Sequence, residues 1–191
     1  MTQSKIKVLN IDVLATTQKE LLQSLKKGTL ITPNLDHLVK LQKDKEFYDL
    51  YQKAEWVVCD SKILYLFSKL LKHSILEPIP GSSFFTAYYM YHRDDENCKI
   101  FLLGAAEGVA AKARERINQK VGREIVVGAH SPSYGFENKP EECEELIGIV
   151  NESGANVVLV GVGAPKQEKW IMKYRCLLYT SPSPRDRTRS R

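Results

Sequence analysis

The chain has 191 residues, 43% of them hydrophobic, and a formal net charge of +5. This length and composition predict one domain with a well-filled core. No apolar run is long enough to span a membrane, the N-terminus lacks the apolar segment of a secretory signal, and the four cysteines form no C-x-x-C pair. These features argue against integral membrane proteins, disulfide-rich secreted proteins and zinc proteins, and they predict a reduced, cytoplasmic chain.

Short apolar strands alternate with helices along the first half of the chain. Residues 5–11 predict a strand, and the capping-box spacing of Thr17 and Glu20 predicts the start of a helix that Gly28 closes. The elements predicted after it are a strand over 29–32, helices beginning near Asn34 and over 47–51, a strand over 56–59, a helix over 62–71 and an aromatic-rich helix over 84–91.

The same alternation continues through the second half. The predicted strands cover 99–103, 124–129 and 157–160, and the predicted helices cover about 108–121, 141–153 and the residues after Pro165. Residues 157–160 are all apolar, which is typical of a strand buried on both faces of a parallel sheet. Because strand and helix alternate throughout, we expect an α/β fold, Rossmann-like, with a mainly parallel sheet and helices on both faces.

The stretch 156–170, NVVLVGVGAPKQEKW, joins the last strand to the last helix through a glycine turn. Gly161 and Gly163 allow positive φ and a close approach of the backbone, and Pro165 suits the first helical turn. A helix that begins at such a turn offers N–H groups to an anion such as phosphate. The G-x-G pattern is too short for a dinucleotide fingerprint, and a tight turn that binds no ligand explains it equally well.

Ligands of open α/β sheets bind beyond the carboxyl ends of the strands. Four predicted strand ends carry polar or glycine residues, and we expect them to line one crevice. They are Thr32 with Asn34 after the second strand, Asp60 after the third, Gly104 after the fourth, and Gly161 to Gln167 after the last. Structural alternatives stay open, because Asn34 and Asp60 are good N-caps for the helices that follow them, and Thr32 precedes a proline, which ends strands.

Six segments resemble the motifs of the WecG/TagA/CpsF family, glycosyltransferase family 26, and stand in that family's order. They are TPNLDHLVKL, AEWVVCDSKIL, IPGSSFF, KIFLLGAAEGVAAKA, VVGAHSPSYGF and GVGAPKQEKWI. The resemblance implies an inverting bacterial hexosyltransferase that moves N-acetylmannosamine, or a related sugar, from a UDP donor to an undecaprenyl-diphosphate-linked sugar. It implies a place in teichoic acid or other cell-surface polysaccharide synthesis, and so in cell wall biogenesis.

The resemblance also implies roles for individual residues. Asp60 would be the general base that takes the acceptor's hydroxyl proton during attack on C1 of the donor sugar, with Thr32 beside it. The substrate-binding residues would be Asn34 in the acceptor or sugar pocket, Gly104, Gly161, Gly163 and Gln167 at the departing UDP diphosphate, and Gly81 and Pro165 in the matching motifs. Around Gly81 the chain departs from the family, which usually has an arginine before this glycine and an acidic residue soon after it.

Metal ligands of the usual kind are missing from the sequence pattern. Residues 1–175 contain no D-x-D triplet that could hold a divalent metal on a nucleotide sugar. The four histidines, His37, His73, His92 and His130, lack metal-ligand spacing, and surface or core roles are expected for them. His37 alone stands near the expected crevice, where it could touch substrate. We therefore predict metal-independent transfer without a cofactor.

Residues 176–191, CLLYTSPSPRDRTRSR, resemble one reading frame of the adapter used in transposon-based sequencing libraries. We expect a glycosyltransferase domain over 1–175, incomplete at its C-terminus and therefore a fragment that could be inactive, and a non-native, disordered tail over 176–191. The tail's four arginines against Asp186 supply three of the five net positive charges, so no nucleic-acid partner is expected. The family's missing C-terminal segment would place the protein peripherally at the inner face of the membrane, and a homo-oligomer stays open.

Two other functions are compatible with an α/β chain of this kind. An NAD oxidoreductase is disfavoured, because no G-x-G-x-x-G follows the first strand and no acidic ribose-binding residue stands at the right offset. A non-catalytic UDP-binding module would keep the nucleotide site without the base, so its UDP binding would survive replacement of Asp60 by alanine.

Overall fold

A computed structural model of the chain describes residues 4–70 and 74–178. Within them seven strands and eight α-helices follow one another, and the chain divides into two compact units, Met1–His92 and Arg93–Arg191. The elements are β1 (Lys5–Val8), β2 (Ile11–Leu14), α1 (Gln18–Ser24), β3 (Leu30–Ile31), α2 (Leu35–Leu41), α3 (Lys45–Tyr51), β4 (Trp56–Val57), α4 (Lys62–Ser68), α5 (Gly81–Tyr91), β5 (Ile100–Gly104), α6 (Val109–Val121), β6 (Val126–His130), a 3₁₀ turn (Phe136–Asn138), α7 (Pro140–Glu152), β7 (Val157–Gly161) and α8 (Lys166–Tyr174).

The first unit begins with an antiparallel hairpin in which Lys5 pairs with Leu14 and Val8 with Ile11. The prediction of one strand over residues 5–11 is therefore wrong. Leu9 takes a φ of +52°, which reverses the chain between the two short strands. The sequence pattern did not reveal this turn, because the apolar residues continue through it and neither glycine nor proline marks it.

Two parallel strands of two residues each form the other sheet of the first unit. In this sheet Leu30 pairs with Trp56 and Ile31 with Val57, and the N–H of Val58 donates to the Ile31 carbonyl over 3.0 Å. A buried apolar cluster holds these strand ends against α1 and α5, and its members are Leu14, Leu21, Leu22, Val58, Ile79 and Phe84. The predicted capping box at the start of α1, made by Thr17 and Glu20, is confirmed.

The second unit contains three parallel strands in the order β6-β5-β7. All five residues of β5 are buried, so this strand is the centre of the unit. Phe101 and Leu103 join an apolar cluster with residues of α7 and with Trp170 and Tyr174 of α8, while α6 packs against β5 and β6. The predicted Rossmann-like α/β fold with mainly parallel strands is confirmed.

The burial of β7 differs from the prediction. Residues 157–160 are partly or well exposed, and Leu159 keeps 37% of its surface accessible. Among the described strands β7 pairs with β5 alone, so the uninterrupted apolar run marks a strand at the end of the sheet. The doubly buried strand is β5, whose sequence IFLLG has the same apolar character.

Several predicted features fall partly outside the described residues. The predicted helix over 62–71 is α4, which ends at Ser68, and Leu71 and His73 are outside the description. The arginines of the predicted tail are also outside it. In the part of the chain that the structure covers, no helix has the length and apolar character required to cross a bilayer.

Candidate functional site

The ends of β3 and β4 lie side by side in the first unit. The N–H of Asp60 donates to the Pro33 carbonyl over 3.1 Å, and the N–H of Ile79 donates to the Cys59 carbonyl over 2.6 Å. Three chain segments therefore run next to one another where the sheet ends: the one after β3, the one after β4 and the one that leads into α5. The side chains of Val58 and Ile79, buried in the same cluster, hold this arrangement from below.

Gly81 begins α5 directly against Thr32. A Cβ placed on Gly81 would lie 2.9 Å from the Thr32 hydroxyl oxygen, which is closer than real side chains approach. A side chain at this position would therefore require the Thr32 side chain to move. The four sequence-predicted residues of this unit, Thr32, Asn34, Asp60 and Gly81, therefore come together at one edge of the sheet.

The two candidate N-caps behave differently. The Asn34 side chain accepts a hydrogen bond from the N–H of His37 over 3.1 Å, so it caps α2. Ser61, and not Asp60, caps α4, because its hydroxyl oxygen accepts from the N–H of Leu64 over 3.3 Å. The capping alternative holds for Asn34 and is wrong for Asp60.

Asp60 is half-buried and lies three residues beyond β4. Burial raises the pKa of Asp60 above its ordinary value, because removing water disfavours the charged form. A carboxylate with a raised pKa is a better proton acceptor than a solvated one at neutral pH. The arrangement can therefore take a proton from a bound hydroxyl group.

His37 belongs to the core. The residue is 7% exposed, its Nδ1 lies 2.8 Å from the Tyr51 hydroxyl, and its ring packs edge-on against Phe47. Burial lowers the pKa of His37, and the Lys40 charge lowers it further while the Asp36 charge opposes both. These contacts fix α2 on α3 and agree with the core role expected for this histidine.

The ends of β5 and β7 meet in the second unit at two glycines. Gly104 has a φ of +128°, and a Cβ there would overlap the Gly161 carbonyl oxygen. The same oxygen accepts a hydrogen bond from the N–H of Ala105 over 3.2 Å, and Ala105 itself has a φ of +63°. Gly104 is therefore required by both backbone conformation and space.

The strand order gives this contact a special position. From β5 the chain passes through α6 to β6 on one side, and from β6 it passes through α7 to β7 on the other side of β5. The direction of winding therefore changes between β5 and β7, and such a switch point is where open α/β sheets bind ligands. Gly108, at the start of α6, makes no side-chain cap, which leaves the first turn of that helix to other acceptors.

The turn after β7 is braced by its own helix. The N–H of Gly163, whose φ is +88°, donates to the Gln167 side-chain oxygen over 3.2 Å. The Gln167 amide nitrogen donates to Glu168, a buried residue, over 2.8 Å. Helix α8 begins at Lys166, directly after Pro165, as predicted; Pro165 is its N-cap residue and so lies just before the first helical turn. Positive φ is confirmed for Gly163, but Gly161 is an ordinary residue of β7.

Sequence reasoning assigned no role to the loop after β6. The Ser131 hydroxyl lies 3.2 Å from the Gly104 carbonyl and 3.1 Å from the Ala106 carbonyl, so it ties β6 to the turn after β5. Lys166, the first residue of α8, pairs with Glu137 over 3.1 Å and lies above the exposed ring of Tyr134. These contacts could have been suspected from the motif VVGAHSPSYGF, which begins in β6 and continues beyond the carboxyl end of that strand, where ligands of such sheets bind.

The predicted site residues thus form two groups. Thr32, Asn34, Asp60 and Gly81 belong to the first unit, and Gly104, Gly161, Gly163, Pro165 and Gln167 belong to the second. Convergence of all of them in one crevice stays a prediction. Within residues 4–70 and 74–178 no cluster of three or more His, Cys, Asp or Glu is arranged to hold a metal ion.

Comparison with protein families gives a match over nearly the whole chain. The model of the family described as Glycosyl transferase WecG/TagA/CpsF matches residues 3–181. This range contains both groups of site residues and every described element. The chain therefore belongs to the WecG/TagA/CpsF family, which makes it a glycosyltransferase of cell-surface polysaccharide biosynthesis with a nucleotide-sugar donor and a lipid-linked acceptor.

Proposed function

We propose that the chain transfers N-acetylmannosamine, or a related sugar, from a UDP donor to an undecaprenyl-diphosphate-linked sugar, with inversion at C1. The observation that carries the proposal is the Asp60 carboxyl group, which stands at a strand end, does no helix capping and has a raised pKa. Teichoic acid synthesis, or synthesis of a related surface polysaccharide, is the corresponding pathway class. Metal-independent chemistry is part of the proposal.

In the proposed reaction Asp60 is the general base. The acceptor's hydroxyl oxygen forms a bond to C1 of the sugar, the bond from C1 to the diphosphate oxygen breaks, and UDP leaves with that electron pair. The hydroxyl proton passes to the Asp60 carboxylate. Thr32 offers its hydroxyl group beside the base. Asn34 uses its side-chain oxygen to cap α2, so its amide nitrogen is the group left for a sugar hydroxyl.

The second unit has the role of UDP binding in this proposal. The switch point between β5 and β7 and the uncapped first turn of α6 support a diphosphate near Gly104 and Gly161, where the backbones already approach closely. The side-chain amide of Gln167 already makes two hydrogen bonds: its oxygen accepts from Gly163 and its nitrogen donates to Glu168. Its first role is therefore to shape the turn after β7, and a direct contact with phosphate requires exchange of one of these bonds.

The proposal extends to where the protein acts. A lipid-linked acceptor implies a cytoplasmic enzyme that is peripheral at the inner face of the membrane. We include in the proposal that a basic C-terminal segment of the kind found in the family contributes to this location. The oxidoreductase alternative is set aside, because the chain belongs to a glycosyltransferase family.

The test combines UDP binding with turnover. Calorimetry with UDP and a transfer assay with UDP-N-acetylmannosamine are run on the chain and on a chain extended by the C-terminal segment of a family member. Binding together with product in either form supports the proposal. UDP binding that survives Asp60→Ala, with no product from any form, indicates a non-catalytic UDP-binding module. Absence of UDP binding in both folded forms overturns the proposal.

A further inference from the structure

Helix α4 has its apolar face turned outward. Ile63, Leu66 and Phe67 of α4 and Leu70 in the turn just after it are spaced as i, i+3, i+4 and i+7. They are between 54% and 83% exposed, and we call them the α4 apolar face. The opposite side of the helix carries Ser68, which is 3% exposed. Four large apolar side chains in one exposed row are uncommon on a surface that meets only water, so the row indicates an interaction.

The buried serine shows why the helix is held in this orientation. The Ser68 hydroxyl donates to the Tyr65 carbonyl over 2.7 Å, and its oxygen accepts from the N–H of Ile75 over 3.0 Å. Rotation of α4 to bury its apolar face would expose these bonds and break the second one. The outward apolar face is thus fixed by polar contacts on the inner side.

The charged side chains of the segment that carries this face, which follows Asp60, are all basic. Between Ser61 and Leu76 the sequence contains lysines and one histidine but no Asp or Glu. Lys62 and Lys69 are exposed at the two ends of α4, and Lys69 lies 4.5 Å above the Tyr65 ring. Glu77, the first acidic residue afterwards, has its carboxylate bonded to the N–H of Gln18 over 2.8 Å. A partner for this face must therefore combine apolar groups with negative charge.

We propose that the α4 apolar face docks on an anionic lipid bilayer, with Lys62 and Lys69 at the headgroups. Short helices with an apolar row and flanking lysines lie in the interface and bury the apolar side chains at the headgroup boundary. The proposal rests in part on the proposed function, because Asp60 and the cap Ser61 immediately precede α4. Docking through this helix brings the base to the level at which a lipid-linked acceptor leaves the membrane.

Two other occupants fit less well. A second copy of the chain, meeting the first face to face, would bring the lysines of both copies together without an acidic residue between them. Residues 179–191, YTSPSPRDRTRSR, contain one tyrosine and no aliphatic or other aromatic side chain, so they cannot fill an apolar row. The bilayer is the occupant that offers both hydrocarbon and negative charge.

The test measures sedimentation of the full chain with vesicles of phosphatidylcholine, alone or mixed with phosphatidylglycerol. We expect binding to the mixed vesicles that weakens with salt, at least about ten-fold weaker binding for Phe67→Glu and about five-fold weaker binding for Lys62→Gln. The matched control is Val39→Glu, which places the same charge at a residue of α2 that is 52% exposed. It is expected to bind vesicles as the unchanged chain does.

Two results would overturn the inference. One is equal vesicle binding by Phe67→Glu and Val39→Glu, both shown to be folded by circular dichroism. The other is a dimer in light scattering that Phe67→Glu dissociates, together with no binding to either vesicle. Transfer to a water-soluble, short-chain acceptor without vesicles is measured in parallel. If that transfer occurs while vesicle binding is absent, docking fails and the proposed function stands. If vesicle binding follows the expected order while neither the unchanged nor the extended chain transfers sugar, the proposed function fails and docking stands.

Discussion

Asp60 and Ser61 are neighbours with separate tasks, and substitution can separate them. Replacing Asp60 by asparagine removes the charge and keeps the shape of the side chain. If Asp60 is the general base, we expect Asp60→Asn to lower kcat by about 10²–10⁴-fold, since that is the usual contribution of a positioned base. Because the carboxylate does no capping, the midpoint of urea unfolding should not fall. Initial-rate kinetics and urea unfolding measure the two effects.

Ser61→Ala serves as the matched control for that substitution. The alanine removes the cap of α4 and should cost about 1 kcal/mol of stability, while the base stays in place. We expect a lower unfolding midpoint with kcat changed less than two-fold, roughly, at a temperature where both variants are folded. Wild-type turnover by Asp60→Asn would show that another group takes the proton.

The raised pKa of Asp60 predicts how activity depends on pH. Burial is its cause, and the base works only when ionised, so kcat should fall as the pH drops through the raised pKa. The same shift affects stability with a definite sign. The folded chain binds the proton more tightly than the unfolded chain, so the stabilisation from protonated Asp60 is complete below the ordinary pKa and is lost as the pH rises through the raised one.

Asp60→Asn should therefore remove the acidic limb of the rate profile that belongs to this group. Relative to the unchanged chain it should also gain stability as the pH rises through the same window. Stopped assays over a pH series and urea unfolding at the same pH values measure both quantities. An acidic limb that survives in the residual activity of Asp60→Asn would assign that limb to a different residue.

The two glycines of the second unit should respond differently to alanine. Gly104→Ala places a Cβ onto the Gly161 carbonyl in a backbone conformation with φ of +128°, and it should cost at least about 1–3 kcal/mol of stability. Gly161→Ala meets no atom within 4 Å and has strand geometry, so its fold should persist. We expect Gly161→Ala to weaken UDP binding in calorimetry about ten-fold or more if the diphosphate approaches this backbone, which is about 1.4 kcal/mol. Unchanged UDP affinity would place the diphosphate elsewhere.

At the scale of elements, apolar patterning predicted most helices and the parallel strands but not how the strands end. The predicted strand over 5–11 is two strands, because the chain reverses at Leu9. The reversal was missed because no glycine or proline marks it. The apolar run of β7 suggested burial on both faces, yet burial depends on how many strands flank it, which the local sequence does not contain. Long-range pairing, and not local propensity, decides both cases.

The candidate site was predictable where a motif sits at a strand end, and less so where side chains from different elements meet. The sequence placed Thr32, Asp60 and Gly104 at the ends of strands, and the structure has them there, while their roles stay predictions. Asn34 caps its helix and Asp60 does not, because α2 begins one residue after Asn34 while α4 begins two residues after Asp60. The sequence does not fix helix starts to one residue. Ser131 was missed because a serine in a loop has no pattern until its partner carbonyls are in place.

Ser131 joins two elements at the switch point, and removing its hydroxyl group should loosen the turn after β5. We expect Ser131→Ala to cost about 0.5–1.5 kcal/mol of stability and to weaken UDP binding by up to about ten-fold, because binding must then order the turn. Ser153→Ala is the control, since its hydroxyl donates to the Val150 carbonyl at the end of α7. It should lower stability comparably and leave UDP affinity unchanged. Equal UDP affinity in both variants would contradict a role of the turn in binding.

At the scale of the whole molecule, the predicted tail over 176–191 has two parts, one charged and one packed against the second unit. The four arginines that supply most of the net positive charge all stand beyond residue 184. Leu178, which lies within the predicted tail, is 9% exposed and packs in the cluster of Trp170 and Tyr174. The Asn151 side chain donates to the Leu177 carbonyl over 2.9 Å. Leu178 is therefore part of the core of the second unit, and Leu177 contributes a backbone hydrogen bond although the residue is 48% exposed.

This packing predicts that the chain tolerates removal of residues 179–191 better than removal of 176–191. A chain ending at Arg175 loses the burial of Leu178 and the hydrogen bond from Asn151, which together should cost about 2–4 kcal/mol. A chain ending at Leu178 keeps both and should unfold within about 0.5 kcal/mol of the full chain. Urea unfolding of the two chains, with Leu178→Ala in the full chain as the control, measures the difference. Equal unfolding midpoints for both shortened chains would mean that residues 176–178 add nothing to stability. The folded domain would then end at residue 175, as predicted.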